Sequence, residues 1–316
     1  MGEKLDKFLG CVYGLAIGDA LGFPVEFIDL EQIKEKYGNE GIKDFDSFSK
    51  FPAGTYTDDT QMTLAVANGI LISEDPYDLN DVMGNISQEF VKWYKNPENN
   101  RAPGNTCMAG CRNLDKGVHW LASGLDSKGC GAAMRSAPIG LFYEDLNKII
   151  EVARAASMCT HSHPTGVASG IATACLTYFA LNNNDPKNMF IEVCNTIVDY
   201  DSDREMAKKI FLVQKVKDLK PEEAMPQLGE GWVGDEAVAI ALYSFLKNPK
   251  DYEKTIITAA NITGDSDSTA CIAGAISGAY NGINAIPEKW IKKIENSDLL
   301  RKIAEDLYQK KIDNQK

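Results

Sequence analysis

The chain has 316 residues, 44% of them apolar and 25% charged, enough for one large domain or two small ones around a packed core. Its formal net charge of −12 leaves no surplus of Lys and Arg to neutralise a phosphate backbone, which argues against nucleic-acid binding. A nucleotide-like ligand held by metals and backbone N–H groups remains open. Several of the scattered cysteines (Cys175, Cys194, Cys271) sit in apolar runs, as expected of free thiols in a reducing cytosol.

Leu5, Phe8, Leu9, Val12, Leu15 and Ala16, mostly three and four apart, predict a first helix over 4–21. The apolar run around it carries Asp19 and passes into Pro24 and Glu26 without a processing site, so it does not read as a signal peptide. No uninterrupted apolar run approaches the roughly eighteen residues of a membrane span. The expectation is a soluble, cytoplasmic protein without a membrane partner. A second helix is expected over 58–73, and others over 80–94, 106–122, 146–158, 165–181 and 186–198. Asp185 followed by Pro186 reads as a cap and first-turn proline. Further helices are expected over 204–217, 235–246, 252–261, 268–280 and 299–311. Strand-like alternation is scarce, and the turn-rich breaks at 97–105, 123–131 and 229–234 do not resemble domain linkers. These features predict an all-α fold with one domain over 1–312 and a flexible tail over 313–316.

Gly10, Gly14, Gly18 and Gly22 recur every fourth residue, as do Gly274, Gly278 and Gly282. A glycine inside a helix costs about 1 kcal/mol relative to alanine. Repetition on one face therefore predicts close approach of another helix backbone.

Two acidic clusters stand far apart in the sequence, Thr57-Asp58-Asp59-Thr60 and Asp265-Ser266-Asp267-Ser268. One acid in each could cap a helix, Asp58 or Asp59 in the first and Ser266 or Asp267 in the second. Capping leaves the second acid of each pair unexplained. Crowded carboxylates in a core repel one another and protonate unless a hard cation joins them. No histidine lies near either cluster, which favours Mg2+ or Mn2+ over zinc. The glycine and distal glutamate of a calcium-binding EF-hand are missing. Cys107, Cys111 and His119 lack the fourth ligand and spacing of a zinc site.

Gly18-Asp19-Ala20-Leu21-Gly22 with Glu26, then Tyr56-Thr57-Asp58-Asp59-Thr60-Gln61-Met62, then Thr263-Gly264-Asp265-Ser266-Asp267-Ser268-Thr269 resemble, in order, the motifs of the ADP-ribosylglycohydrolase family. The likeness is greatest to prokaryotic relatives of dinitrogenase reductase-activating glycohydrolase. It implies a compact, orthogonal multi-helix domain with two Mg2+ or Mn2+ ions in a cleft. By position, Thr57, Asp58, Asp59, Asp265, Asp267 and Ser268 resemble the metal ligands, with serine at 268 where relatives usually have threonine. Glu26, Asp58 and Asp59 become the candidate catalytic residues, while Asp19 reads as mainly structural.

Gly129-Cys130-Gly131-Ala132-Ala133-Met134-Arg135 resembles the family's glycine loop, with cysteine in place of asparagine at 130. The resemblance assigns Gly129, Cys130, Gly131, Met134 and Arg135 to the substrate, although Arg135 could instead form an internal ion pair. His161 is a candidate near ribose or phosphate, and Trp232 either core or a lip of the adenosine cleft. Phe23 could pack near the mouth or in the core. The loop from Arg101 to Thr106 looks substrate-facing, and Asn105 stands where some relatives have aspartate, which leaves the acceptor in question.

The implied activity is metal-dependent hydrolysis of the N- or O-glycosidic bond between ADP-ribose and an acceptor such as a protein arginine. The substrate is an ADP-ribosylated protein or a small ADP-ribose conjugate, and a monomer is expected. A phosphoester or diphosphate hydrolase and a noncatalytic ADP-ribose-binding protein are the alternatives.

Overall fold

The computed structural model describes residues 2–314. Among them the chain forms sixteen α-helices and no extended strand, only isolated bridges at Phe48–Phe51, Leu125–His161 and Gly129–Val233. In chain order the first eight helices are α1 (Glu3–Gly22), α2 (Leu30–Tyr37), α3 (Asp58–Ile72), α4 (Leu79–Lys95), α5 (Asn105–Asp115), α6 (Ala137–Phe142), α7 (Leu146–Met158) and α8 (Pro164–Leu181). They are followed by α9 (Pro186–Ile197), α10 (Glu205–Val216), α11 (Pro221–Leu228), α12 (Gly234–Lys247), α13 (Tyr252–Ala260), α14 (Ser266–Asn281), α15 (Glu288–Lys293) and α16 (Ser297–Asp313).

The centre of the molecule is the antiparallel pair α1 and α14. A Cβ built on Gly10 would stand 2.3 Å from the Gly278 carbonyl oxygen, and one on Gly14 2.4 Å from that of Gly274. The same holds from the other side, where a Cβ on Gly278 would meet the Gly10 oxygen at 2.0 Å. The two backbones thus touch directly along the glycine stripes, as the spacing predicts. The α1 residues from Lys7 to Gly22 are all buried, so this helix has no water-facing stripe and little amphipathic periodicity. By length and composition α1 and α8 could each cross a membrane, but their apolar windows are 100% and 89% buried within the fold.

Helices α2, α6, α11 and α15 are too short to carry a clear apolar period. Their signals are local: Asp29 and Gln32 form a capping box on α2, and Pro221 opens α11. Helix α5 stops at Asp115 rather than 122, because Gly117 takes the left-handed conformation at φ 83° and turns the chain. Asp185 caps α9 through the Lys187 N–H, with Pro186 in the first turn. At the other end α16 continues through Asp313. There the buried Lys311 ammonium donates to the Leu141 carbonyl at 2.9 Å, so the chain is helical where the tail was expected to start. Gln315 and Lys316 lie outside the described residues.

Candidate active site and acid cluster

The glycine seam decides where the acids go. Because α1 and α14 run antiparallel, Gly22 at the end of α1 lies against Ser266 at the start of α14, 2.3 Å from a Cβ to the Ser266 oxygen. A 3-10 turn over Phe23–Val25 follows and sets down Glu26 beside Asp265 and Asp267. One ligand-capable oxygen from each of Glu26, Asp265 and Asp267 lies within 4.8 Å of the others. This group of buried carboxylates could coordinate a metal ion.

Asp19 ties the third helix to this centre. Its carboxylate accepts from the Thr57 N–H at 2.9 Å, the Thr60 N–H at 3.0 Å and the Thr60 hydroxyl at 2.5 Å. Those bonds draw the start of α3, and with it Asp58 and Asp59, against α1. Asp19 itself does not line the cleft.

The caps separate structural acids from the rest. The N-cap of α3 is Thr57, whose hydroxyl accepts from the Asp59 N–H at 3.3 Å, so neither Asp58 nor Asp59 serves as the cap. Asp265 occupies the N-cap position of α14 but makes no side-chain capping bond. Asp58 accepts from the Gly104 N–H at 3.1 Å, and Asp267 from the Ser268 N–H at 3.0 Å and the Thr57 hydroxyl. Glu26 Oε2 and Asp59 Oδ2 are buried with no donor from the protein. Such orphaned oxygens, in an all-oxygen donor set, suit a hard divalent cation.

Electrostatics agree. Burial, then the charges of Asp267, Asp265, Asp58 and Asp19, push the Glu26 carboxyl up to about 12. Burial, followed by Asp267 and Asp19, also drives Asp59 well above the carboxylate range, and burial does the same for Asp58 against the Gly104 hydrogen bond. Asp265 is raised by burial and by Asp267. Asp19 rises to about 7 through burial and Asp267, held back by Thr60 and Thr57.

The cleft over these acids has a volume of about 190 Å³. All of the expected site residues line it except Thr57 and Arg135. Thr57 stands behind Asp267. Arg135 is turned away: fully buried, it donates to the Gly131 carbonyl at 2.9 Å, the Ala156 carbonyl at 2.9 Å and the Thr160 hydroxyl at 2.7 Å. It also lies over the Phe90 ring. The arginine is therefore a core brace under the glycine loop rather than a ligand-facing group, and its internal partners are carbonyls and a hydroxyl rather than a carboxylate.

Thr160 passes this order on. Its oxygen accepts from Arg135 and shares a 2.7 Å hydrogen bond with His161 Nδ1. The other ring nitrogen, Nε2, lies beside the glycine loop, where a Cβ on Gly129 would come within 3.3 Å of it. Burial first, and then Arg135, lower the His161 pKa to about 3, so the ring is neutral. His163, by contrast, caps α8 by accepting from the Thr165 N–H at 3.1 Å.

Within the loop, Gly131 leaves room for its neighbours, since a Cβ there would stand 2.5 Å from Cys107 Sγ. The Cys130 N–H is taken by the Trp232 carbonyl at 3.2 Å, and its thiol donates to Asp265 Oδ2 at 2.8 Å. Burial, with Asp265 and Asp59, holds that thiol well above its ordinary pKa, as a donor. Met134 and Ser268 close the floor, their S and O atoms 4.0 Å apart. Ala102, Gly104, Asn105 and Thr106 form the opposite wall, anchored by the paired bonds of Arg101 to Glu295 at 2.5 and 2.8 Å.

The rim holds a residue that sequence reasoning missed. Trp232 is 41% exposed and stacks on Phe27, itself 60% exposed, with centroids 5.9 Å apart. Phe23, weighed for the mouth, is instead buried against Phe48 and Phe51. The signal for Phe27 was its place directly after Glu26.

The all-helical domain thus buries a metal-competent acid cluster beneath a glycine loop and an aromatic rim. Across residues 1–316 the chain matches the family model described as ADP-ribosylglycohydrolase, and it belongs to that family. It is 35% identical over 309 residues to an uncharacterized protein of Archaeoglobus fulgidus, covering 96% of each chain. It is 30% identical to the ADP-ribosyl-[dinitrogen reductase] glycohydrolase of Rhodospirillum rubrum, covering 92% of this chain and 90% of that one. A solved structure titled an ADP-ribosylglycohydrolase-related protein complex superposes with a TM-score of 0.78 at 25% identity, over 98% of this chain and 99% of the other. The chain is thus an ADP-ribosylglycohydrolase-like hydrolase, acting within a family of enzymes for ADP-ribose conjugates.

Proposed function

We propose that this enzyme hydrolyses the N- or O-glycosidic bond between ADP-ribose and an acceptor, such as the arginine side chain of a modified protein. The observation that supports it most is the convergence of Glu26, Asp265 and Asp267 oxygens within 4.8 Å, in a cleft where Glu26 Oε2 and Asp59 Oδ2 lack any protein donor. Two divalent cations, Mg2+ or Mn2+, held by Thr57, Asp58, Asp59, Asp265, Asp267 and Ser268, would keep these acids ionised and lower the pKa of a nearby water. In this reading Glu26 takes the proton of the attacking water, with Asp58 and Asp59 as the other candidate bases. The hydroxyl goes to the anomeric carbon, and the acceptor leaves with a proton. Gly129, Cys130, Gly131, Met134, His161 and Trp232 surround the ADP-ribose, with His161 Nε2 on the side of the glycine loop. The protein works as one domain and a monomer, and its eight free cysteines support a reducing compartment such as the cytoplasm.

Incubation with ADP-ribosyl-arginine and ADP-ribosyl-serine substrates, with and without Mg2+ or Mn2+, tests this. Intact ADP-ribose and free acceptor are expected. AMP with ribose phosphate would point to diphosphate hydrolysis instead, and no release from either acceptor with metal bound would leave only a binding role.

A further inference from the structure

A second, larger hollow opens on the far side of Trp232, with a volume of about 780 Å³. Trp232 lines both this groove and the acid cleft. Glu230 joins them as well, since its carbonyl accepts the Asp265 N–H at 2.8 Å while the residue itself lines the groove. The floor is apolar, with Met225 and Ile262 buried beneath it.

The walls carry Glu40, Glu222, Glu230 and Glu236 against a single cation, Lys34. Two of these acids are committed elsewhere. Glu236 accepts from the Glu230 N–H at 3.0 Å and pairs with Lys209, and Glu40 pairs with Lys43. The carboxylates of Glu222 and Glu230 are exposed, and neither makes a hydrogen bond or ion pair with any described residue. This is a local choice of charge. Another groove of about 650 Å³ is lined by Lys187, Lys217, Lys247 and Lys250, and it shares no residue with the cleft.

We propose that the groove beyond Trp232 receives a basic peptide segment flanking the modified side chain of an ADP-ribosylated acceptor protein. The proposal rests on the function proposed above for the cleft. Apolar stems of Lys or Arg lie on the Met225 and Ile262 floor, and their charged ends meet Glu222 and Glu230. Complementary rim charges act chiefly on encounter and selectivity, so the effect falls with salt.

Two measurements on the full chain test it. In the first, wild type and the Glu222→Lys/Glu230→Lys variant are compared on an ADP-ribosylated peptide with Lys and Arg flanks and on free ADP-ribosyl-arginine. The peptide KM is expected to rise about tenfold or more in the variant at low salt, with kcat and the small-substrate KM within about twofold of wild type. Equal losses on both substrates, or no loss on either, would overturn the proposal. In the second, fluorescence anisotropy follows a labelled, unmodified Lys/Arg-rich decapeptide. Salt-sensitive binding lost in the variant supports the groove, and equal binding to both proteins overturns it. If wild type cleaves neither substrate, the function proposed for the cleft fails, and the anisotropy result still decides the groove. A circular-dichroism melt confirms that the variant is folded.

Discussion

Gly18 in α1 and Ala270 in α14 lie so close that a methyl group on Gly18 would stand 2.0 Å from the Ala270 carbonyl oxygen. That contact cannot be relieved by a rotamer, because the methyl position is fixed by the α1 backbone and the oxygen it meets belongs to the α14 backbone. Gly18→Ala is therefore expected to force the helices apart, lowering stability by about 3 kcal/mol or more and removing activity through displaced acids. Gly84→Ala is the control. Gly84 lies within α4 with nothing within 4 Å of the new methyl, and the change should stabilise the protein by up to about 1 kcal/mol. Denaturant titration of the two variants checks both signs.

Asp267 is a cause of the raised carboxyl pKa values of Asp19, Glu26, Asp58 and Asp59. Asp267→Asn should relieve that repulsion and raise the melting temperature in EDTA. The same change should abolish metal-dependent hydrolysis and most of the stabilisation by Mn2+. For wild type that stabilisation should reach about 2.7 kcal/mol at a hundredfold excess over Kd. Unchanged activity would remove Asp267 from the ligand set.

Asp19→Asn separates holding from ligating. An amide keeps one acceptor oxygen but presents N–H groups in place of the other, so either the Thr57 N–H or the Thr60 N–H is left unpaired and buried, at a cost of about 1–3 kcal/mol. The expected result is lower stability, with Mn2+ affinity reduced but measurable by calorimetry. Complete loss of metal binding in a folded variant would make Asp19 a ligand.

His161 gives the molecule an acid sensitivity whose sign follows from burial. Its folded-state pKa is about 3, below the unfolded value near 6.5, so below pH 6.5 the unfolded chain binds a proton that the folded protein does not. Its contribution to stability is full above pH 6.5 and is lost as pH falls toward 3, by roughly 1.4 kcal/mol per pH unit. The buried acids, with raised pKa values, act in the opposite direction. Denaturation of wild type and His161→Gln between pH 7 and 4.5 in EDTA isolates the histidine, and the variant should lose less stability on acidification. Parallel curves for the two proteins would contradict this assignment.

Much of this architecture is legible in the residues themselves. Periodicity and the two glycine stripes announce α1 and α14, and the paired acids announce what their meeting ends carry. Arg135 shows what is not legible. A glycine loop ending in arginine reads as a substrate contact or as half of an internal ion pair, and only the carbonyls of Gly131 and Ala156 and the Thr160 hydroxyl, up to 25 residues away, reveal a core brace. Phe27 escaped because exposure of one aromatic is a property of the assembled surface. The short helices α2 and α15 escaped because so few residues cannot display a helical period.

The seam between α1 and α14 also sets an order of events. Its halves are separated by roughly 250 residues, a long-range contact of the kind that slows folding. Until α14 emerges from the ribosome, α1 lacks the backbone it was shaped to touch. Its side chains from Phe8 to Leu21, all destined for burial, must meanwhile be kept in water. The late-made helix thus decides whether the early one finishes inside a protein core, and no enzyme exists before that moment.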